Sequence, residues 1–135
     1  MVGILIISHG ALGEALIEAA SHVHGRPLSG VAQLKVTAQD DPDAVLAQAR
    51  ELIRRLDTGQ GVLIMVDMFG ATPGNITARL LAAGKVEGIS GASLPMLVRA
   101  LTYRESPLPV VVDKAMSGGR EGVVHMNTDC CRGPG

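Results

Sequence analysis

Four short aliphatic runs, Val2–Ile7, Val31–Val36, Val62–Asp67 and Lys85–Gly91, punctuate the first ninety or so residues. Their starts are spaced by roughly thirty residues, about the length of a strand–helix–strand unit. Short runs of Val, Ile and Leu suit strands covered by helices on both faces. The stretches between them read as helices. Leu12, Leu16, Ala19, Ala20 and Val23 share one helical face, and Gly25 follows as a stop. Asp41-Pro42 is a capping acid with proline at the first helical position, ahead of the stripe Val45, Leu46, Ala49, Leu52, Ile53 and Leu56. Thr72-Pro73 opens a third helix that should end near Ala83-Gly84. A fourth is expected after Ser93, with Pro95 in its first turn and Met96, Leu97, Ala100 and Leu101 facing inwards.

Alternating strands and helices predict an α/β fold: a single three-layer domain, a mostly parallel sheet in the order 2-1-3-4, and helices on both faces. Beyond Pro107 periodicity does not choose between a strand and a buried helix for Val110-Val111-Val112. Glu121–Met126 reads as a last strand at the sheet edge. Residues 1–126 are expected to form the domain and 127–135 a flexible Gly/Pro tail.

Composition narrows the function. One Phe, one Tyr and no Trp leave no stacking platform for single-stranded nucleic acid, and a net charge of −1 offers no basic field for a polyanion. Nucleic acid is therefore not an expected partner. No apolar run is long enough to span a bilayer, and the N-terminus has neither a basic leader region nor a cleavage site. Adjacent Cys130 and Cys131 bridge each other only with strain and make no disulfide framework. The expected location is cytoplasmic.

In open α/β sheets, ligands bind beyond the carboxyl ends of the strands, where the strand order reverses. Strand one ends in Ser8-His9-Gly10 and strand three runs into Asp67-Met68-Phe69-Gly70-Ala71-Thr72-Pro73-Gly74-Asn75. In a 2-1-3-4 sheet these ends are neighbours, which brings His9 and Asp67 within hydrogen-bonding reach. An aspartate on one ring nitrogen fixes the tautomer, and the other nitrogen then presents its lone pair as nucleophile or base. The following loop can receive an anion: Gly70 permits a tight turn, Thr72 offers a hydroxyl, and Pro73 starts a helix with free N–H groups. Gly10 allows the first helix to start close to His9. There is no Walker lysine, no second carboxylate for magnesium and no Gly-x-Gly-x-x-Gly, so nucleotide hydrolysis is not expected. No His/Cys/Asp/Glu spacing predicts a metal site, and no cofactor is implied. His22 and His24, two apart on a helix, share no face and read as solvent-exposed.

The segments Ile4–Gly10 (ILIISHG), Gly61–Asn75 (GVLIMVDMFGATPGN), Gly91–Leu97 (GASLPML) and Gly119–Val123 (GREGV) resemble the mannose-type enzyme IIA domains of the bacterial phosphoenolpyruvate-dependent phosphotransferase system. The resemblance reaches to about residue 126. It implies that His9 takes a phosphoryl group from the phosphocarrier protein HPr and passes it to a IIB domain, that Asp67 orients His9, and that Thr72, where many relatives have Ser, helps to hold the phosphoryl group. Gly10, Gly70 and Ala71 complete the candidate phosphoryl-binding positions. It further implies a homodimer in which a C-terminal edge strand, here Glu121–Met126, is exchanged, with membrane contact only indirect, through a permease complex. The best-known members carry a IIB domain after an Ala/Pro-rich linker. This sequence ends at Gly135, so a separate IIB partner, or a regulatory role for the phosphorylation state, is expected. Two other readings compete. Ser8-His9-Gly10 is similar to the Arg-His-Gly of histidine phosphatases, but Ser8 stands where the arginine would be. The phosphocarrier subunit of dihydroxyacetone kinase shares the first strand and histidine, whereas Phe69–Pro73 fits the mannose type better.

Overall fold

The computed structural model describes residues 1–127; the expected tail, with Cys130 and Cys131, lies outside the described residues except at its first position. Four strands form one parallel sheet: β1 (Gly3–His9), β2 (Val31–Val36), β3 (Val62–Val66) and β4 (Val86–Ser90), in the order β2-β1-β3-β4. The predicted α/β architecture and winding are therefore those observed. Five helices cover the sheet among the described residues: α1 (Leu12–His24), α2 (Pro42–Leu56), α3 (Thr72–Ala78), α4 (Leu94–Thr102) and α5 (Leu108–Glu121).

Strand alternation divides the interior into two layers. Ile4, Ile6, Leu63 and Met65 pack under Ala20 of α1, Leu97 and Ala100 of α4, and Val111 and Ala115 of α5. Leu5, Ile7, Val62, Ile64 and Val66 pack on the other face against Val45, Leu46 and Ala49 of α2 and Ile76 of α3. β1 and β3 are thus buried on both faces, which explains why they read as unbroken aliphatic runs. Right-handed crossovers demand this division, because the chain leaves β1 in one direction across the sheet and β3 in the other.

Local signals set most helix ends. Gly25 takes φ 71° and caps α1 in the left-handed conformation. The Asp41 carboxylate accepts the Asp43 N–H at the start of α2, and the Ser93 hydroxyl accepts the Met96 N–H at the start of α4. Three details differ from the sequence expectation, and a fourth decides what it left open. The buried face of α1 runs through Gly13 and Ala20, leaving Leu12 and Val23 at the helix ends exposed. α3 stops at Ala78: the Arg79 and Leu80 N–H groups bond back to Ile76 and Thr77, and an 82–86 turn then reverses the chain into β4. Val110-Val111-Val112 belongs to α5, whose Val111 is fully buried. Glu121 ends α5, and residues 122–127 form no strand within this single chain; the Gly122 and Val123 N–H groups instead bond to Gly118 and Arg120, so the helix unwinds through a turn. No helix among the described residues is long and apolar enough to cross a membrane.

Candidate functional site at the sheet's switch point

β1 and β3 are adjacent, and their connections depart in opposite directions, which opens a crevice at their carboxyl ends. Ile7 pairs with Val66, so the residues that follow each, Ser8-His9 and Asp67, emerge side by side. The His9 Nδ1 lies 2.7 Å from Asp67 Oδ2. The His9 backbone N–H donates to the same oxygen at 3.0 Å. Because an ionised carboxylate only accepts, Nδ1 carries the proton and Nε2 keeps its lone pair. The His9 side chain is 52% exposed and that of Asp67 only 13%, so the orienting group is sheltered while the ring faces solvent.

Burial raises the Asp67 carboxyl, but the His9 backbone N–H, the ring N–H and the electrostatic attraction of the imidazole outweigh it and hold the group below the usual carboxylate range. Asp67 Oδ1 is buried without a hydrogen-bond partner, so the pairing with His9 falls entirely on Oδ2. No arginine or lysine bonds to either residue among the described residues, and no group of three metal-binding side chains occurs there.

The other expected site residues sit in the two loops flanking the pair. Gly10 has φ 54° and Gly70 φ 84°, left-handed conformations that glycine adopts without strain. Ala71, not Thr72, is the N-cap of α3: it is extended, and its carbonyl accepts the Asn75 N–H. The turn at Gly70 shifts the helix start back by one residue from the expected threonine cap. Thr72 is the first helical residue and exposed, and its hydroxyl makes no hydrogen bond among the described residues. His22 is exposed as expected, but His24 is half-buried at the opposite end of α1, with its Nε2 enclosed and unpartnered.

One residue was not singled out for this role by sequence reasoning. Ser8 is fully buried, and its hydroxyl accepts the Gly13 N–H at 3.0 Å, capping α1 from the strand below. Its spacing to the helix start matches no local capping pattern, so only the packing of α1 on β1 reveals it.

The chain is 30% identical to the PTS system mannose-specific EIIAB component of Escherichia coli strain K12 over 90% of its own length, and spans 38% of the length of that relative. It is 26% identical to the PTS system fructose-specific EIIA component of Bacillus subtilis, over 78% of this chain and 72% of that protein. The crystal structure of phosphotransferase system component EIIA from Streptococcus agalactiae superposes with a TM-score of 0.83 at 23% identity, covering 95% of this chain and 99% of that one. The PTS IIA protein associated with the fucose utilization operon of Streptococcus pneumoniae gives 0.81 at 20% identity, covering 96% and 99%. Residues 3–115 match the EIIA-man family, described as the PTS system fructose IIA component, and on that match the chain belongs to this family of mannose- and fructose-type IIA components.

Proposed function

We propose that this protein is a phosphocarrier in which His9 Nε2 accepts a phosphoryl group from phospho-HPr and hands it to a IIB domain. The observation that carries the reading is the 2.7 Å contact between His9 Nδ1 and Asp67 Oδ2, which leaves Nε2 as the outward lone pair. In the first transfer the P–N bond of phospho-HPr breaks as the bond to Nε2 forms. The Nδ1 proton stays shared with Asp67, which balances the charge developing on the ring. The second transfer repeats the exchange with the IIB acceptor.

Gly10, Gly70, Ala71 and Thr72 are assigned to the phosphoryl cradle. Two glycines with positive φ let the backbone turn around the site, and the Thr72 hydroxyl, exposed and unbonded among the described residues, is available to the phosphoryl oxygens. A neutral cradle of this kind suits a group that must leave again. The family's activity in the cytoplasm, with HPr and IIB as partners, follows from the same reading. A homodimer is proposed as well, supported by the outer edge of β4, unpaired among the described residues, and by exposed Val123, Val124 and Met126 close to the C-terminus.

The test is intact mass after incubation with phosphoenolpyruvate, enzyme I and HPr. A gain of one phosphoryl group, labile in acid and mapped to His9, is the expected result. An unmodified protein beside an active HPr control, or label on another residue, would overturn the reading.

A further inference from the structure

We propose that Ser8 is a positioning residue for His9, a role that rests on the phosphocarrier reading. Ser8 and His9 are consecutive at the end of β1, so their side chains project to opposite sides of the strand. Ser8 is 0% exposed, and its hydroxyl oxygen accepts the Gly13 backbone N–H at 3.0 Å. Gly13 lies in the first turn of α1, where backbone N–H groups have no partner inside the helix. The N-cap residue, Ala11, has no side chain able to serve. The cap therefore comes from the strand itself.

This bond closes a short bridge. Its two ends are the last buried residue of β1 and the first turn of α1, and His9 and Gly10 lie between them. The fit leaves no slack: a Cβ on Gly13 would stand 3.2 Å from Ser8 Oγ and 3.0 Å from the Gln33 Cβ. Glycine at 13 is what lets the helix approach the hydroxyl. With the bridge closed, the backbone N–H and Nδ1 of His9 converge on one carboxylate oxygen, at 3.0 and 2.7 Å. Two donors from one residue meet a single acceptor only when that residue's backbone is held still. Removing the Ser8 hydroxyl leaves the Gly13 N–H buried without its acceptor. The strand-to-helix turn relaxes, and His9 loses its fixed approach to Asp67.

The test reads His9 directly and its chemistry separately. Nitrogen-15 NMR of the isolated protein reports the neutral tautomer of His9, and steady-state transfer from phospho-HPr through this protein to a IIB acceptor reports kcat and KM. Ser8→Ala should give a mixed tautomer and lower kcat by about tenfold, the upper scale for one neutral hydrogen bond, with KM for phospho-HPr unchanged. Val111→Ala, a core truncation in α5, controls for stability: it should lower the melting temperature and leave the His9 tautomer and kcat alone. If Ser8→Ala does not fold, Ser8→Cys, a weaker acceptor, should show the same changes in smaller measure. A wild-type tautomer and kcat in the hydroxyl-deficient variant, or the same losses in Val111→Ala, would overturn the proposal. The NMR experiment needs no donor, so a wild-type protein that fails to take phosphate would sink the carrier reading while the tautomer still judges Ser8.

Discussion

In the proposed transfer the chemistry at His9 turns on which ring nitrogen holds the proton, and the Asp67 carboxylate bonds to Nδ1. Replacing the carboxylate by an amide lets the side chain donate to Nδ1, which drives the proton to Nε2 and removes the nucleophilic lone pair. Asp67→Asn should therefore slow phosphoryl uptake on the order of 10²–10⁴-fold, as in other Asp–His pairs, and stopped-flow transfer from phospho-HPr measures it. His9→Ala should abolish uptake while the protein still folds, because the side chain is half-exposed and outside both core layers. Acid titration tests the pair independently. The Asp67 carboxyl is held below its ordinary value of 3.8 in the folded protein, so its contribution to stability is complete above that value and is lost as pH falls through the lower, folded one. The melting-temperature gap between wild type and Asp67→Asn should be open at neutral pH and close in strong acid. A gap that stays constant would mean that ionisation of Asp67 adds nothing to the fold. Both members of the pair were legible in the sequence, because Asp67 follows directly on one aliphatic run and His9 comes one residue after another. The partner of Ser8 was not, since that contact depends on how a helix settles on a strand.

The loop from Asp67 into α3 tests the cradle as an element. Nothing lies within 4 Å of the position a Cβ would take on Gly70, yet its φ is 84°. Gly70→Ala therefore meets backbone strain without a steric clash, and should cost roughly 1 kcal/mol of stability, the scale of a left-handed alanine, read as a shift in denaturant midpoint. Thr72→Ala has the opposite profile. Its hydroxyl supports nothing in the fold, so stability should be unchanged, while a lost bond to the phosphoryl group worth about 0.5–1.5 kcal/mol slows transfer about two- to twelvefold. Equal transfer rates in Thr72→Ala and wild type would remove Thr72 from the cradle. Elements with a strong cap or a sharp aliphatic boundary, such as α2, α4 and β2, could be read from the sequence nearly to the residue. α3 could not, because its apolar pattern continues through Leu80 and Leu81 while the backbone must turn back to reach β4. Val110-Val111-Val112 stayed ambiguous for a related reason: three β-branched residues carry no period, and contact with α4 and the sheet makes them helical.

Across the whole molecule, the end of the sheet opposite His9 is gathered by a single side chain. Arg104, in the connection between α4 and α5, is 8% exposed and donates to the carbonyls of Val2, Ser29 and Gly30. Its own carbonyl accepts the Val2 N–H. The start of β1, the lead into β2 and the end of α4 are thus tied at one guanidinium. Burial lowers its pKa and Glu105 pulls it back up, but a guanidinium remains charged throughout the working range. Its hydrogen-bond partners are carbonyls, not carboxylates, so added salt should screen little of their strength. Arg104→Met retains much of the stem and leaves those carbonyls without their donor. The expected loss is on the order of 3 kcal/mol, nearly independent of ionic strength, in denaturant unfolding followed by circular dichroism. Arg104→Lys should recover little of it, because one ammonium cannot reproduce a planar fork across three acceptors. Phosphoryl uptake per folded molecule should be unchanged in both variants, since the staple lies at the amino ends of β1 and β2 and the His9–Asp67 pair at the carboxyl ends of β1 and β3. A staple variant that unfolds at the wild-type denaturant concentration would show the guanidinium to be dispensable. One that folds normally but transfers slowly would instead show that the two ends of the sheet are mechanically coupled.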